Sequence, residues 1–370
     1  MLWPTHISMS LCLLHGAVLL SAQTPKYKAV WEPRNVKADV SLLDVYFVTD
    51  DIGWVAGGVS SMAGGVILNT RDGGMNWTVQ AGDKQSSDRA INAFRFLDVT
   101  HGWAVQSGSP MNRLLRTDDG ETWTPVGSIQ THYTDYTFTS VLHGIVAGPT
   151  GENGVLELTG DGGNTWKRVA TCEAETEVGG LTKRIGCDFL SLSFPVPATG
   201  YAVGSSSGLP NGFVLFKTTD GGVSWQHSVV KTEEGRAENV FFIDEKTGYV
   251  RIGYPDTGIL YRTADGGQTW TRTAASPGKS IHFADPEVGW AFHYNKLSYT
   301  VGGGKMWTSR TFAFPVSVNA FSLPNRHRAY VAGDHGMVYR YSVVPANYVG
   351  KGMIDAPMMP GYGLPVKRRN

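Results

Sequence analysis

The chain has 370 residues, 41% of them hydrophobic, and its 32 Lys and Arg are matched by 32 Asp and Glu. Such a length can bury a large core, and a formal net charge of zero gives no global electrostatic case for nucleic acid or an anionic membrane. No Gly-rich phosphate loop is present, because the Gly pairs follow Asp and precede strand-like runs, never a helix.

In chain order, residues 1–22 come first, with an apolar run over residues 7–20 closed by Leu19-Leu20-Ser21-Ala22 ahead of Gln23. This resembles a secretory signal peptide with small residues at its cleavage point, and the run is too short to span a bilayer. The mature protein is therefore expected to be exported, periplasmic or extracellular, and soluble or peripherally bound to a membrane. Cys12 leaves with the leader. The remaining Cys172 and Cys187 are expected to form a disulfide, as an even pair in an exported chain does.

From residue 27 onward the chain repeats. Seven Gly-aromatic or related runs begin at Gly53, Gly102, Gly144, Gly200, Gly248, Gly289 and Ala329. Six residues before each stands Phe47, Phe96, Phe138, Phe194, Phe242, Phe283 or, in the last unit, Leu323. A third run follows in each unit, such as Val66-Ile67-Leu68-Asn69 or Ile259-Leu260-Tyr261-Arg262, then a box of the form Thr-x-Asp-Gly-Gly-x-x-Trp. Four boxes are complete, with Asp72, Asp161, Asp220 and Asp265. A shorter one carries Asp119, and a decayed one has Gly302 in place of Asp. These short β-branched and aromatic runs, punctuated by Gly and Asp, read as strands and turns. Arrays of this period built from them mean a propeller. The reading is all-β: a seven-bladed β-propeller of four-stranded blades over residues 23–344.

The box has a sufficient structural explanation. An Asp placed in a tight turn accepts backbone N–H groups, the following Gly residues tolerate positive φ, and the Trp fills the wedge between blades. The five Asp are therefore assigned to architecture on the outer rim. The seventh unit lacks a box and its Trp, and Tyr27-Lys28-Ala29-Val30-Trp31 has the alternation needed to supply the missing outer strand and close the ring. Beyond Val344, Pro and Gly alternate without any strand period, so residues 345–370 are expected to be a flexible Pro/Gly/Met-rich tail.

Candidate binding residues are polar departures from otherwise apolar repeat positions. They are Gln106, Arg251 and His293 in the Gly-aromatic strands, Asp44, Asp135 and Asn239 three residues before a Phe, and Asp334 and His335 in the seventh unit. All are expected on the axial face, where a propeller gathers loops from every blade. The bland alternative for each is a hydrated channel residue. No His, Cys or carboxylate spacing suits a metal, and neither a metal nor a small-molecule cofactor is expected.

The boxes combined with the Phe-x5-Gly-Trp/Tyr strands resemble the photosystem II stability and assembly factor family, exported seven-bladed propellers of the Asp-box (BNR-like) type. The resemblance covers residues 27–344. It implies a non-enzymatic scaffold or chaperone that binds a protein partner of a membrane-associated complex. Sialidases and xyloglucanases also carry the box, so a secreted glycoside hydrolase is the alternative. A xyloglucanase-like site needs two carboxylates across a cleft, for which Asp44 and Asp135 are the matching pair. A sialidase would need three converging Arg, and Arg251 is the only Arg at an inner-strand position of that kind.

Overall fold

The computed structural model describes residues 26–37, 39–58, 65–82, 89–150, 153–178, 180–253, 258–275, 278, 280–293 and 295–358. The expected leader with Cys12, and residues 359–370 of the tail, lie outside them. Seven sheets of antiparallel strands form a ring, six of them running in sequence order from an inner strand outwards and the seventh taking up Tyr27–Asn35 beyond its third strand. The inner strands are Leu42–Phe47, Ile91–Phe96, Asp135–Phe138, Asp188–Ser193, Ala237–Phe242, Ser280–Phe283 and Val318–Asn325, for blades 1 to 7. No helix occurs among the described residues.

The Phe-x5-Gly spacing has a packing cause. A side chain at Gly53 or Gly200 would run into the ring of Phe47 or Phe194, so the Phe lies flat against its own second strand. Its other face stacks on the Gly-aromatic residue of the preceding blade. Phe138 lies 3.8 Å from Trp103, Phe242 3.4 Å from Tyr201, and Phe47 3.4 Å from Tyr330 across the junction of blades 7 and 1. The box Trp of the same blade then meets the Phe edge-on, as Trp77 does with Phe47 at 6.3 Å and Trp225 with Phe194 at 6.0 Å. These aromatic pairs are thus interblade stacks.

The boxes fold as turns, as expected. Thr218 Oγ1 donates to Asp220 Oδ1 at 2.7 Å and accepts Gly222 N–H at 2.9 Å, while Asp220 Oδ1 accepts Ser224 N–H at 3.0 Å. Blades 1, 3 and 5 repeat this geometry around Asp72, Asp161 and Asp265, and Asp119 accepts Glu121 and Thr122 N–H, both at 2.7 Å. The decayed copy keeps the Thr300 to Gly304 bond at 3.0 Å. Hydrogen bonds from Ser224, Thr165 and Thr269 to Asp220, Asp161 and Asp265 lower these carboxyls to about 2. Their folded pKa lies below the unfolded one, so their stabilisation is complete above about pH 4 and is lost as pH falls through about 2. Asp220→Ala is expected to cost about 1 kcal/mol, the net worth of ordinary hydrogen bonds at an exposed turn. Urea denaturation at pH 7 measures it, and the difference from wild type should shrink at pH 2.

The ring is closed by the N-terminal strand. Tyr27–Asn35 pairs antiparallel with Met337–Pro345 over nine residues, in register from Tyr27↔Pro345 to Asn35↔Met337. The expectation of a loose tail does not describe residues 345–358. Ile354–Ala356 forms a fifth strand on the free edge of Tyr27–Asn35, Tyr341 Oη donates to Pro357 O at 2.9 Å, and Tyr348 Oη donates to Glu32 at 3.0 Å. The Pro and Gly residues interrupt any long period, yet three residues suffice to cover an edge.

Blade 3 hands over to blade 4 through an added hairpin, Glu173–Val178 with Leu181–Gly186. The expected Cys172–Cys187 disulfide closes its base, with Cα atoms 5.0 Å apart.

Candidate functional site: the central channel

On an inner strand alternate side chains face opposite ways. Val45, Phe94, Tyr136, Leu192, Val240, Ile281 and Phe321 are all buried, and they are the residues two before each Phe or its Leu equivalent. Their neighbours therefore turn to the axis. The result is a channel of about 960 Å³ lined by all seven inner strands, with Asp44, Tyr46, Arg95, Asp135, Asn239, Phe241, His282, Asn319 and Ser322 among its walls.

Asp44, Asp135 and Asn239 line this channel, and the structure gives the two carboxylates a structural task. Asp44 accepts Val45 N–H at 2.8 Å and, from the next blade, Phe94 N–H at 2.5 Å. Asp135 repeats the device, accepting Tyr136 N–H at 2.8 Å and Leu192 N–H at 2.9 Å. Ser322 and Ser193 do the same with their hydroxyls for Phe47 and Phe242 N–H, at 2.9 and 2.8 Å. Asn239 donates to Ser191 Oγ at 3.3 Å. Burial raises the pKa of Asp44, against the Phe94 N–H and the Arg95 charge, which lower it. These groups sew neighbouring blades together.

Arg95 and His282 are among the channel residues that the sequence reading missed. Both stand one residue before the repeated Phe, a position not compared across the units, and that comparison would have found them. Arg95 Nη2 bonds Asp135 at 2.7 Å, while Nε and Nη1 donate to Tyr136 O and Phe94 O, each at 2.8 Å. Desolvation works against its charge but is outweighed by Asp135, Tyr136 and Asp44, so its pKa rises. His282 is exposed to the channel and packs against Phe321 at 4.5 Å. Enclosure by the ring, with Arg95 adding to it, lowers His282 to about 4, so it is neutral at pH 7.

The remaining candidates do not line the channel. Arg251 is 1% exposed. It ion-pairs with Glu238 on the neighbouring inner strand and donates to Gly253 O at 3.3 Å. It is an internal residue of blade 5, not an axial-face anchor, because its strand position packs inside the blade. Arg251→Ala is expected to cost about 2 kcal/mol, below the usual price of breaking a buried pair because Glu238 still reaches water. Chemical denaturation reads this, and partner recovery by the folded variant should equal wild type. Gln106 is buried and accepts from Arg113 at 3.1 Å. His293 ends the second strand of blade 6. Asp334 holds Ser41 and Asn319, the Ser41 bond chiefly lowering its pKa. His335 is exposed beside Asp39, at 2.8 Å. Among the described residues no group of three or more His, Cys, Asp or Glu could hold a metal ion.

Seven blades, Asp-box turns and a strand-closed ring define an Asp-box β-propeller. Residues 23–131 match the model of the family described as photosynthesis system II assembly factor YCF48, in keeping with the resemblance read from the repeats. Among solved structures, YCF48 from Cyanidioschyzon merolae is 18% identical with a TM-score of 0.58, covering 85% of this chain and 98% of that one. A structure described as YCF48 bound to D1 peptide is also 18% identical, with a TM-score of 0.57, covering 84% and 96%. A GH74 xyloglucanase from Xanthomonas campestris is 15% identical with a TM-score of 0.57, and this chain, 85% covered, spans 53% of it. At such identities the likeness is one of fold. No curated protein matches the sequence.

Proposed function

We propose that this protein is a non-enzymatic, protein-binding propeller that serves as an assembly or stability factor for a membrane-associated complex. The match of residues 23–131 to an assembly-factor family carries the reading, and a similar propeller has been solved with a peptide bound. The chemistry of the channel supports it. Asp44 and Asp135, the pair a hydrolase would need, both accept backbone N–H groups of their own and the following blade. Both carboxylates thus hold neighbouring blades together. The apolar run of residues 7–20 and the Cys172–Cys187 bridge favour export to a periplasmic or extracellular compartment.

The test is affinity capture with the tagged full chain from detergent-solubilised envelope membranes, alongside turnover assays on xyloglucan and sialosides. Recovery of a membrane protein that competes with untagged chain, with no sugar released, is the expected result. Sugar release with no competed partner would replace this reading with the hydrolase one.

A further inference from the structure

We infer that the channel holds a site for a neutral sugar, its ring laid between Tyr46 and Phe241 and its hydroxyls hydrogen-bonded by His282, Asn239 and Arg95. This is a binding activity beyond the protein-docking reading, and it asks for no catalysis.

Tyr46, Arg95, Phe241 and His282 each stand one residue before a repeated Phe, so they share one level of the ring, and all four line the channel. Tyr46 on blade 1 and Phe241 on blade 5 are three blades apart, the widest separation a ring of seven allows, and so occupy opposite walls. Arg95 on blade 2 and His282 on blade 6 are separated in the same way. The charge of Arg95 is nonetheless felt at His282, as expected of groups facing across one enclosed space. The other three members of the level, Thr137, Ser193 and Ser322, are small. The space they leave is therefore flanked by two aromatic walls and edged by polar groups. The channel volume of about 960 Å³ falls within the range of roughly 300–1,000 Å³ usual for small-molecule sites.

The unused capacity of the polar groups sets the chemistry of the ligand. His282 is exposed to the channel, and among the described residues nothing hydrogen-bonds its imidazole. Neutral at pH 7, it offers one N–H and one lone pair. Asn239 lies two residues before Phe241 on the same strand and shares its face. It gives one N–H to Ser191 Oγ and leaves its Oδ1 unshielded. Arg95 spends three of its five N–H groups on Tyr136 O, Phe94 O and Asp135, and its side chain is 37% exposed. Donors and acceptors thus converge from three blades, which suits hydroxyls, since each of these both donates and accepts. The C–H groups on the face of a pyranose are in turn attracted by the negative face of an aromatic ring.

Charge and backbone narrow the choice. An anionic ligand would meet Asp44 and Asp135, and a cationic one would meet Arg95. An extended peptide would need a free strand edge. The N–H groups of Phe47, Phe94, Leu192 and Phe242, on four of the seven inner strands, are already bonded to side chains of the preceding blade. A sugar needs side chains alone.

The test is saturation-transfer NMR on the full-length protein with glucose, xylose and cellobiose, set against glucuronate, glucosamine and N-acetylphenylalanine amide. At least one neutral sugar should bind through the C–H protons of its ring, and the charged sugars and the amide should not. Its Kd should rise about tenfold in Phe241→Leu, the worth of one aromatic face. His282→Leu should weaken it similarly, and Tyr46→Leu tests the opposite wall. Each variant is melted alongside and compared below its own transition, so that if one fails to fold the others decide. If no neutral sugar binds, or if its Kd is unchanged in the folded variants, the site is overturned. Binding of glucuronate or of the amide instead, lost in Phe241→Leu, overturns the sugar in favour of an anion or a peptide.

Discussion

Trp31→Ala lowers the stability of the propeller by about 4 kcal/mol, within the usual cost of truncating a fully buried Trp, and deleting residues 26–35 abolishes its cooperative unfolding. Trp31 is 0% exposed. Five rings meet it edge-on, those of Trp290, Phe292, Phe312, Phe314 and Tyr341, with centroids 5.6 to 6.2 Å away. It belongs to a cluster that joins blades 6 and 7, so the loss reaches beyond its own strand. Removing the strand goes further, because Met337–Pro345 would lose its outer partner and Ile354–Ala356 would lose its only one. An open edge of this kind invites pairing between molecules. Urea denaturation followed by Trp fluorescence measures the point variant, and light scattering measures the deletion. A deletion variant that stays monomeric with one cooperative transition would show that the ring does not need this strand.

The second large effect is expected from the disulfide. Converting both Cys172 and Cys187 to Ala should cost about 3 kcal/mol, the loop-entropy value for a closed loop of 15 residues. The bridge ties the base of the hairpin that the other blades lack. Cys187 N–H donates to Cys172 O, and Gly154 exchanges bonds with both residues, each at 2.8 Å. The sulfurs belong to the buried cluster shared by blades 3 and 4, so the loss should appear in global stability as well as in the hairpin. Denaturation with and without reductant measures it, and non-reducing peptide mapping should recover the linked peptides. Two free thiols in the native protein would contradict the bridge.

The channel shows where sequence reading succeeds and where it stops. Placing Asp44, Asp135 and Asn239 on the axis needed only strand alternation counted from the repeated Phe. Their roles needed partners that lie far along the chain, Phe94 being 50 residues from Asp44 and Leu192 57 from Asp135. Arg251 misled for a related reason. Its departure from Ala56, Val105 and Val203 was real, but those siblings are themselves buried, so a charge there called for an internal partner before an external one. The register slip within the inner strand, between Leu42 and Asp44 in blade 1 and between Asn92 and Arg95 in blade 2, is invisible to counting, since it changes which residues face the axis while leaving the Phe to Gly spacing intact.

What the sequence determined by itself was everything that recurs: seven units, the order of strands in each, the Asp-box turns, and the fixed spacing of Phe and Gly. Repetition makes such features legible, because seven copies of one local solution report the same physical constraint. The tertiary structure alone decided what occurs once: the fifth strand laid by Ile354–Ala356, the ion pair of Arg251, and the positive φ of Ala93 on the inner strand of blade 2. Each depends on a contact between segments whose spacing in the chain carries no periodic signal, and only closing the ring brings them together.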